Sequence, residues 1–154
     1  MNFAVYSRPE WLPGLQVGGS YLRGDLLPYN STLKVNNTIS SAYAVFLSPK
    51  WEFMNEAVLM QHEITGGGRS YNSPMGYTQL AYHFRQYRPY FRFQEVNIPN
   101  NDPVTGFKGR YEGPSAGVRI DVFDYAALKF QYNRVYLRDA ASQNGFEAQM
   151  AFTF

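Results

Sequence analysis

The chain has 154 residues, of which 45% are hydrophobic, 18% aromatic and 17% charged, with 13 Tyr, 12 Phe, no Cys and a formal net charge of +2. No window approaches the roughly 20 consecutive apolar residues of a membrane-spanning helix, which excludes a helical membrane protein, and the lack of Cys excludes disulfide scaffolds, thiolate zinc sites and cysteine nucleophiles. The aromatic content argues against disorder, the mild charge leaves no footprint for nucleic acid, and the mean hydropathy of -0.39 means that apolar residues are spread along the chain.

Residues 1–14, MNFAVYSRPEWLPG, have neither a basic start nor a continuous apolar run, so no signal peptide is read there. From there on apolar residues recur with a period of two, which places alternate side chains on opposite faces of a strand. A short strand is expected near 2–8, followed by one at 15–24, where Leu15, Val17 and Tyr21 alternate with Gln16, Gly18 and Ser20. The segment 39–48 sets Ile39, Tyr43, Val45 and Leu47 against Ser40, Ala42 and Ala44; 51–64 sets Trp51, Phe53, Ala57 and Leu59 against Glu52, Glu56 and His62. Strands follow at 77–86 (Leu80, Tyr82, Phe84 against Gln79, His83, Arg85) and 89–98 (Phe91, Phe93 against Arg92, Gln94). Val118, Ile120 and Val122 then alternate with Arg119 and Asp121, and Leu128, Phe130 and Tyr132 with Lys129, Gln131 and Asn133. The clearest alternation is 144–154, with Phe146, Ala148, Met150, Phe152 and Phe154 on one face and Glu147, Gln149, Ala151 and Thr153 on the other. The total is about nine strands, each near the 9 to 11 residues that cross a bilayer when tilted.

Connections alternate between short turns at 9–14, 48–50, 87–89 and 124–125 and longer polar loops at 29–38, 65–75 and 100–113, with a shorter one at 140–143. Gly, Asn, Pro and Ser dominate the long ones, as exposed turns require. In an antiparallel meander this alternation gathers the long loops at one end, the layout of an outer-membrane barrel. Tyr6, Trp11, Trp51, Tyr87, Tyr90, Tyr125, Phe152 and Phe154 fall near the short-turn end, where amphipathic rings favour the headgroup level of a bilayer.

The terminal pattern Phe146, Ala148, Met150, Phe152, Phe154 resembles the last-strand signal of Gram-negative outer-membrane barrels, which ends in Phe and is read by the barrel assembly machinery. The hairpin at 114–139, with Ala126-Ala127-Leu128-Lys129-Phe130-Gln131-Tyr132, resembles the final hairpin of porin-type barrels, including relatives of the phosphate-selective porins. The resemblance implies an all-β, antiparallel up-and-down transmembrane β-barrel in the bacterial outer membrane. Its partners would be outer-membrane lipid and the assembly machinery, with room for a homo-oligomer and none for nucleic acid. An odd strand count and a first strand descending from outside the cell point to the C-terminal portion of a larger barrel. The alternative is that residues 1–14 form no strand and the rest closes as an eight-stranded, non-conducting barrel with a structural or surface-binding role.

No catalytic constellation is visible. The two histidines, His62 and His83, with Glu56 near them, fall short of the three or four ligands of a metal centre, and Gly66-Gly67-Gly68-Arg69 lacks the strand-to-helix context of a phosphate loop. Neither a cofactor nor enzymatic activity is therefore expected. Alternation instead turns Glu52, Glu56, Arg85, Arg92, Arg119, Asp121, Lys129 and Glu147 to one wet face. In a barrel these residues line the lumen, where a mixed ladder of cations and carboxylates orients hydrated solutes and sets a weak ion preference. The expected function is passive diffusion of small hydrophilic solutes or ions.

Overall fold

The computed structural model describes residues 1–28, 33–106, 109–138 and 140–153. Within them the chain forms nine strands: β1 (Asn2–Ser7), β2 (Leu15–Leu26), β3 (Val35–Leu47), β4 (Trp51–Ile64), β5 (Ser70–Tyr82), β6 (Tyr87–Asn97), β7 (Arg110–Phe123), β8 (Ala126–Leu137) and β9 (Gln143–Phe152). All pairs are antiparallel, and the order in the sheet is the order in the sequence. Residues 2–7 pair with β2 along their whole length, which removes the premise of an eight-stranded barrel starting after residue 14. Among the described residues β1 and β9 do not pair with each other, so the sheet is open.

Three boundaries depart from the sequence expectation, each for a local reason. β5 begins at Ser70 despite Pro74, because there it pairs with β4 alone; its pairing with β6 starts only at Met75, so the N–H that proline lacks is spared. β3 begins at Val35, and the turn-like run Asn36-Asn37-Thr38 is held between β2 and β4, with Asn37 opposite the buried His62. Between β5 and β6 the turn lies at 83–86 rather than 87–89. Phe84 and Tyr87 exchange both backbone hydrogen bonds around Arg85-Gln86, and Arg85 adopts a left-handed φ of 55°. Such a two-residue hairpin ordinarily carries Gly or Asn at a left-handed position, so Arg-Gln gives no turn signal, whereas Pro89 gives a false one from inside β6.

Directly opposed residues in a ladder share a face. The row Leu15, Phe46, Phe53, Leu80, Phe91, Ala116, Tyr132, Phe146 crosses β2 to β9 on one face. That face is apolar from the short-turn end upward, broken by Asn55, which donates to the facing Thr78 at 2.5 Å, and then becomes polar on each strand. Tyr21 gives way to Arg23, Leu59 to Gln61, Phe93 to Glu95, Tyr132 to Arg134 and Phe146 to Asn144. Its large side chains are uncovered: Phe91 is 55% exposed, Phe130 47% and Met150 60%. Such a contiguous apolar surface is far more than the scattered exposed residues of an ordinary soluble domain.

The opposite face is reversed along its length. Its short-turn half carries charges, whereas its long-loop half carries an apolar row, Val58, Met75, Val96, Tyr111 and Leu137, across β4 to β8. The most deeply buried residues gather at this upper end: Val35, His62, Ser73 and Ile98.

Candidate functional site

Register stacks the charged face in rows, one above another from the short-turn end. One row above Asp121 and Ala127, Arg88, Arg119 and Lys129 stand side by side on β6, β7 and β8, on strands about 4.8 Å apart. Opposed like charges repel, and one carboxylate offsets two of them: Asp121 receives Arg88 Nε on one oxygen and Arg119 Nε on the other, both at 2.7 Å. Lys129 has no carboxylate in ion-pair range among the described residues; its Nζ lies 5.2 Å from the Tyr90 ring centroid. The next row holds Glu52, Ala81, Tyr90, Gly117, Gln131 and Glu147. Gly117 is required there. A Cβ would meet the Phe130 carbonyl oxygen and, at 2.5 Å, the Tyr90 hydroxyl, which crosses this position to donate to Gln131 Oε1. Gln131 in turn donates to Asn133, and Asn133 to Glu147, giving a polar relay from β6 to the edge strand.

Above these lie Met54, Gln79, Arg92 and Ser115, then Glu56, Tyr77 and Gln94. Arg92 donates from Nε and Nη2 to Gln79 Oε1 at 3.0 and 2.8 Å and stacks its guanidinium over the Tyr77 ring at 4.7 Å, so its charge meets no carboxylate. Glu56, on the other side of Tyr77, has no ion-pair or hydrogen-bond partner among the described residues.

Seven of the eight residues expected on the wet face, namely Glu52, Glu56, Arg92, Arg119, Asp121, Lys129 and Glu147, thus share one face. Arg85 does not join them; it sits exposed in the β5–β6 turn with its guanidinium 5.5 Å from the Phe84 ring centroid. Arg88, which belongs to the set, was hidden by reading 87–89 as a turn; counting back in twos from Arg92 would have found it. The histidines are not neighbours. His83 lies in the β5–β6 turn, 3.5 Å from Glu52, and His62 near the far end of β4. Tyr90, expected among the ring of aromatics, is buried on the charged face instead. Tyr6, opposite Gly18, shares the charged face too, whereas Trp51, Tyr87, Tyr125 and Phe152 do mark the short-turn end, with Trp51 tilted against Tyr82 and Phe123 stacked on Tyr125. A second set at the polar boundary, including the pairs Phe3–Tyr21 and Tyr132–Phe146, was not anticipated. Phe146, Met150 and Phe152 lie exposed on the apolar face of β9; Phe154 lies outside the described residues.

The long-loop end of the charged face is closed by a clasp. The β6–β7 connection, 98–109, reaches across β5 to β4, where His62 Nδ1 meets Asp102 Oδ2 at 2.7 Å with both side chains buried. Asp102 also accepts the amide N–H of Val104 at 2.8 Å and of Thr105 at 3.2 Å, and the Thr105 hydroxyl at 3.1 Å. Arg138 ties the base of the loop to Asn97. Burial pushes the Asp102 carboxyl up, but the Val104 N–H, His62 and the Thr105 N–H outweigh it and hold the carboxyl below its ordinary value.

Because the clasped form has the lower pKa, the released form binds the proton more readily, and acid favours release. The Asp102 contribution is therefore complete well above the ordinary Asp value of about 3.9 and is lost as pH falls through the lower value of the clasped state. Proteolysis of the β6–β7 connection is expected to accelerate as pH falls below about pH 4. An acid-stable protease can follow it. No protein-family model matches this sequence, and no curated protein is significantly similar to it.

Proposed function

We propose that the nine strands are wall of a porin-like β-barrel in a bacterial outer membrane, forming a passive channel for small hydrophilic solutes or ions. The observation that carries this reading is the register itself. Adjacent residues along every central strand divide between an uncovered apolar face and a face bearing Glu52, Glu56, Arg88, Arg92, Arg119 and Lys129. Along β4 the outward residues Trp51, Phe53, Ala57 and Leu59, with Asn55 bonded to Thr78 among them, span about 27 Å at about 3.4 Å per residue, or about 21 Å once tilted by about 40°; outer-membrane barrels present an apolar band of about 25 Å. In that setting the aromatics at both margins lie at the two headgroup levels, and Phe146, Met150 and Phe152 on β9 fit a segment read by the barrel assembly machinery.

The open edges bear on barrel size. β9 alone exposes an edge of 10 residues, and each backbone group left unpaired in hydrocarbon costs several kcal/mol, so both edges need partners. β1 and β9, as first and last of an odd-numbered meander, run in the same direction. An all-antiparallel closure therefore takes an odd number of further strands between them. The total is even and at least about ten, and a water-filled lumen is expected toward the roughly 16 strands of known porins.

On this face β6 to β8 carry Arg88, Arg92, Arg119 and Lys129 against Asp121 alone, whereas β4 carries Glu52 and Glu56, an uneven spread of charge with Lys129 and Arg92 least compensated. The full-length protein in planar bilayers is expected to give discrete conductance steps with a weak anion preference in a KCl gradient. Substituting Arg92→Glu together with Lys129→Glu should turn the reversal potential toward cations. Absence of steps above the lipid background would sink the channel reading.

A further inference from the structure

We propose that the charged face holds a binding site for a zwitterionic amphiphile, in chemical class an α-amino acid with an apolar side chain. Only its role as a permeating solute rests on the channel reading. Two opposite charges flank Tyr77. Glu56 on β4 has no partner, and Arg92 on β6 spends Nε and Nη2 on the neutral Gln79, leaving Nη1. By strand spacing and rise their Cα atoms are about 12 Å apart, a gap that two extended side chains narrow to the span between the ammonium and carboxylate of one amino acid. Elsewhere on this face Asp121 meets Arg88 and Arg119, His83 meets Glu52 and Asn133 donates to Glu147, while the Lys129 ammonium stands over the Tyr90 ring.

One row toward the clasp, Val58, Met75, Val96 and Tyr111 stand side by side, and with Glu56, Tyr77, Gln94 and Glu95 they line a groove of about 170 Å³; Arg92 lies outside that lining, one row toward the short turns. An inorganic ion would use neither the apolar row nor both charges. A hydrocarbon would leave Glu56 and Arg92 unmatched. A zwitterion with an apolar side chain places its ammonium on Glu56, its carboxylate on Arg92 and its side chain on the row, where Met75 can adapt to different shapes.

Calorimetric titration of the detergent-solubilised full chain tests the site without a bilayer, using L-phenylalanine, glycine, phenylacetate and phenethylamine. Phenylalanine is expected to bind at least about tenfold more tightly than each of the others, since each lacks one charged contact or the apolar one. Glu56→Gln should abolish the advantage over phenylacetate and keep that over phenethylamine; Arg92→Gln should do the reverse. Phenylalanine binding no tighter than glycine, or no tighter than both single-charge analogues, overturns the proposal, and this comparison stands on the unsubstituted protein even if a variant fails to fold. Binding without conductance would leave the site and remove the channel; conductance without binding would remove the site alone.

Discussion

Phe91→Arg is expected to cost about 2–4 kcal/mol of folding stability in phospholipid vesicles, whereas Gln94→Arg, three residues further along the same strand, is expected to stay within about 0.5 kcal/mol. Phe91 lies mid-band on the apolar face, opposed by Leu80 and Ala116 and 55% exposed. A guanidinium there would sit in hydrocarbon at a depth from which it reaches neither headgroup level. Gln94 lies on the other face, in the row of Glu56 and Tyr77, where a cation meets water and a free carboxylate. Urea titration of both variants in vesicles, followed by tryptophan fluorescence, measures the difference. A neutral Phe91→Arg would mean that this face meets water or protein instead of lipid.

The clasp supplies the second large effect. His62→Ala leaves Asp102 Oδ2 buried with the Thr105 hydroxyl as its one donor, and Asp102→Ala leaves His62, the Thr105 hydroxyl and two amides without their acceptor. Each substitution is expected to cost about 1–3 kcal/mol, toward 3–5 kcal/mol if the pair is ionised. The loss should be local, because the loop can open while the ladder beneath it persists. Hydrogen exchange should therefore accelerate at Ile98 and Gly106, whose amides bond within the connection, and not in β4. In the double variant His62→Ala with Asp102→Ala the two costs should fall short of additive by about 1 kcal/mol or more, the sign of a direct pair. Full additivity would show that the two side chains act separately.

Most of the strand pattern was legible because a half-buried or half-lipidated strand imposes its period of two on the residues directly. Alternation alone puts Glu52 with Glu56, Arg119 with Asp121 and Lys129 with Gln131, whatever the neighbouring strand. It says nothing about rows, which depend on how far each turn offsets the next strand; the triplet Arg88, Arg119, Lys129 and the flanking of Tyr77 by Glu56 and Arg92 come from register. Local chemistry also misled where tertiary pairing overruled it. Pro74 sits in a strand because only one neighbour needs that stretch of β5, and Asn37 because β2 and β4 pair with it on both sides. Arg85 carries a left-handed turn without the glycine that would announce it. The His62–Asp102 contact joins residues 40 positions apart, and no spacing rule connects a strand residue to an aspartate inside a loop.

The central claim, that one face of this sheet meets lipid and the other water, is tested most directly by site-specific quenching. The chain has no Cys, so Phe91→Cys, Gln94→Cys, Phe130→Cys, Gln131→Cys, Gln149→Cys and Met150→Cys each offer a single attachment point for a fluorescent probe in vesicles of brominated lipid. Probes at 91, 130 and 150 are expected to be quenched by the lipid and shielded from aqueous iodide, and those at 94, 131 and 149 to show the reverse. Equal quenching of both sets, or iodide access at 91 and 130, would contradict the account.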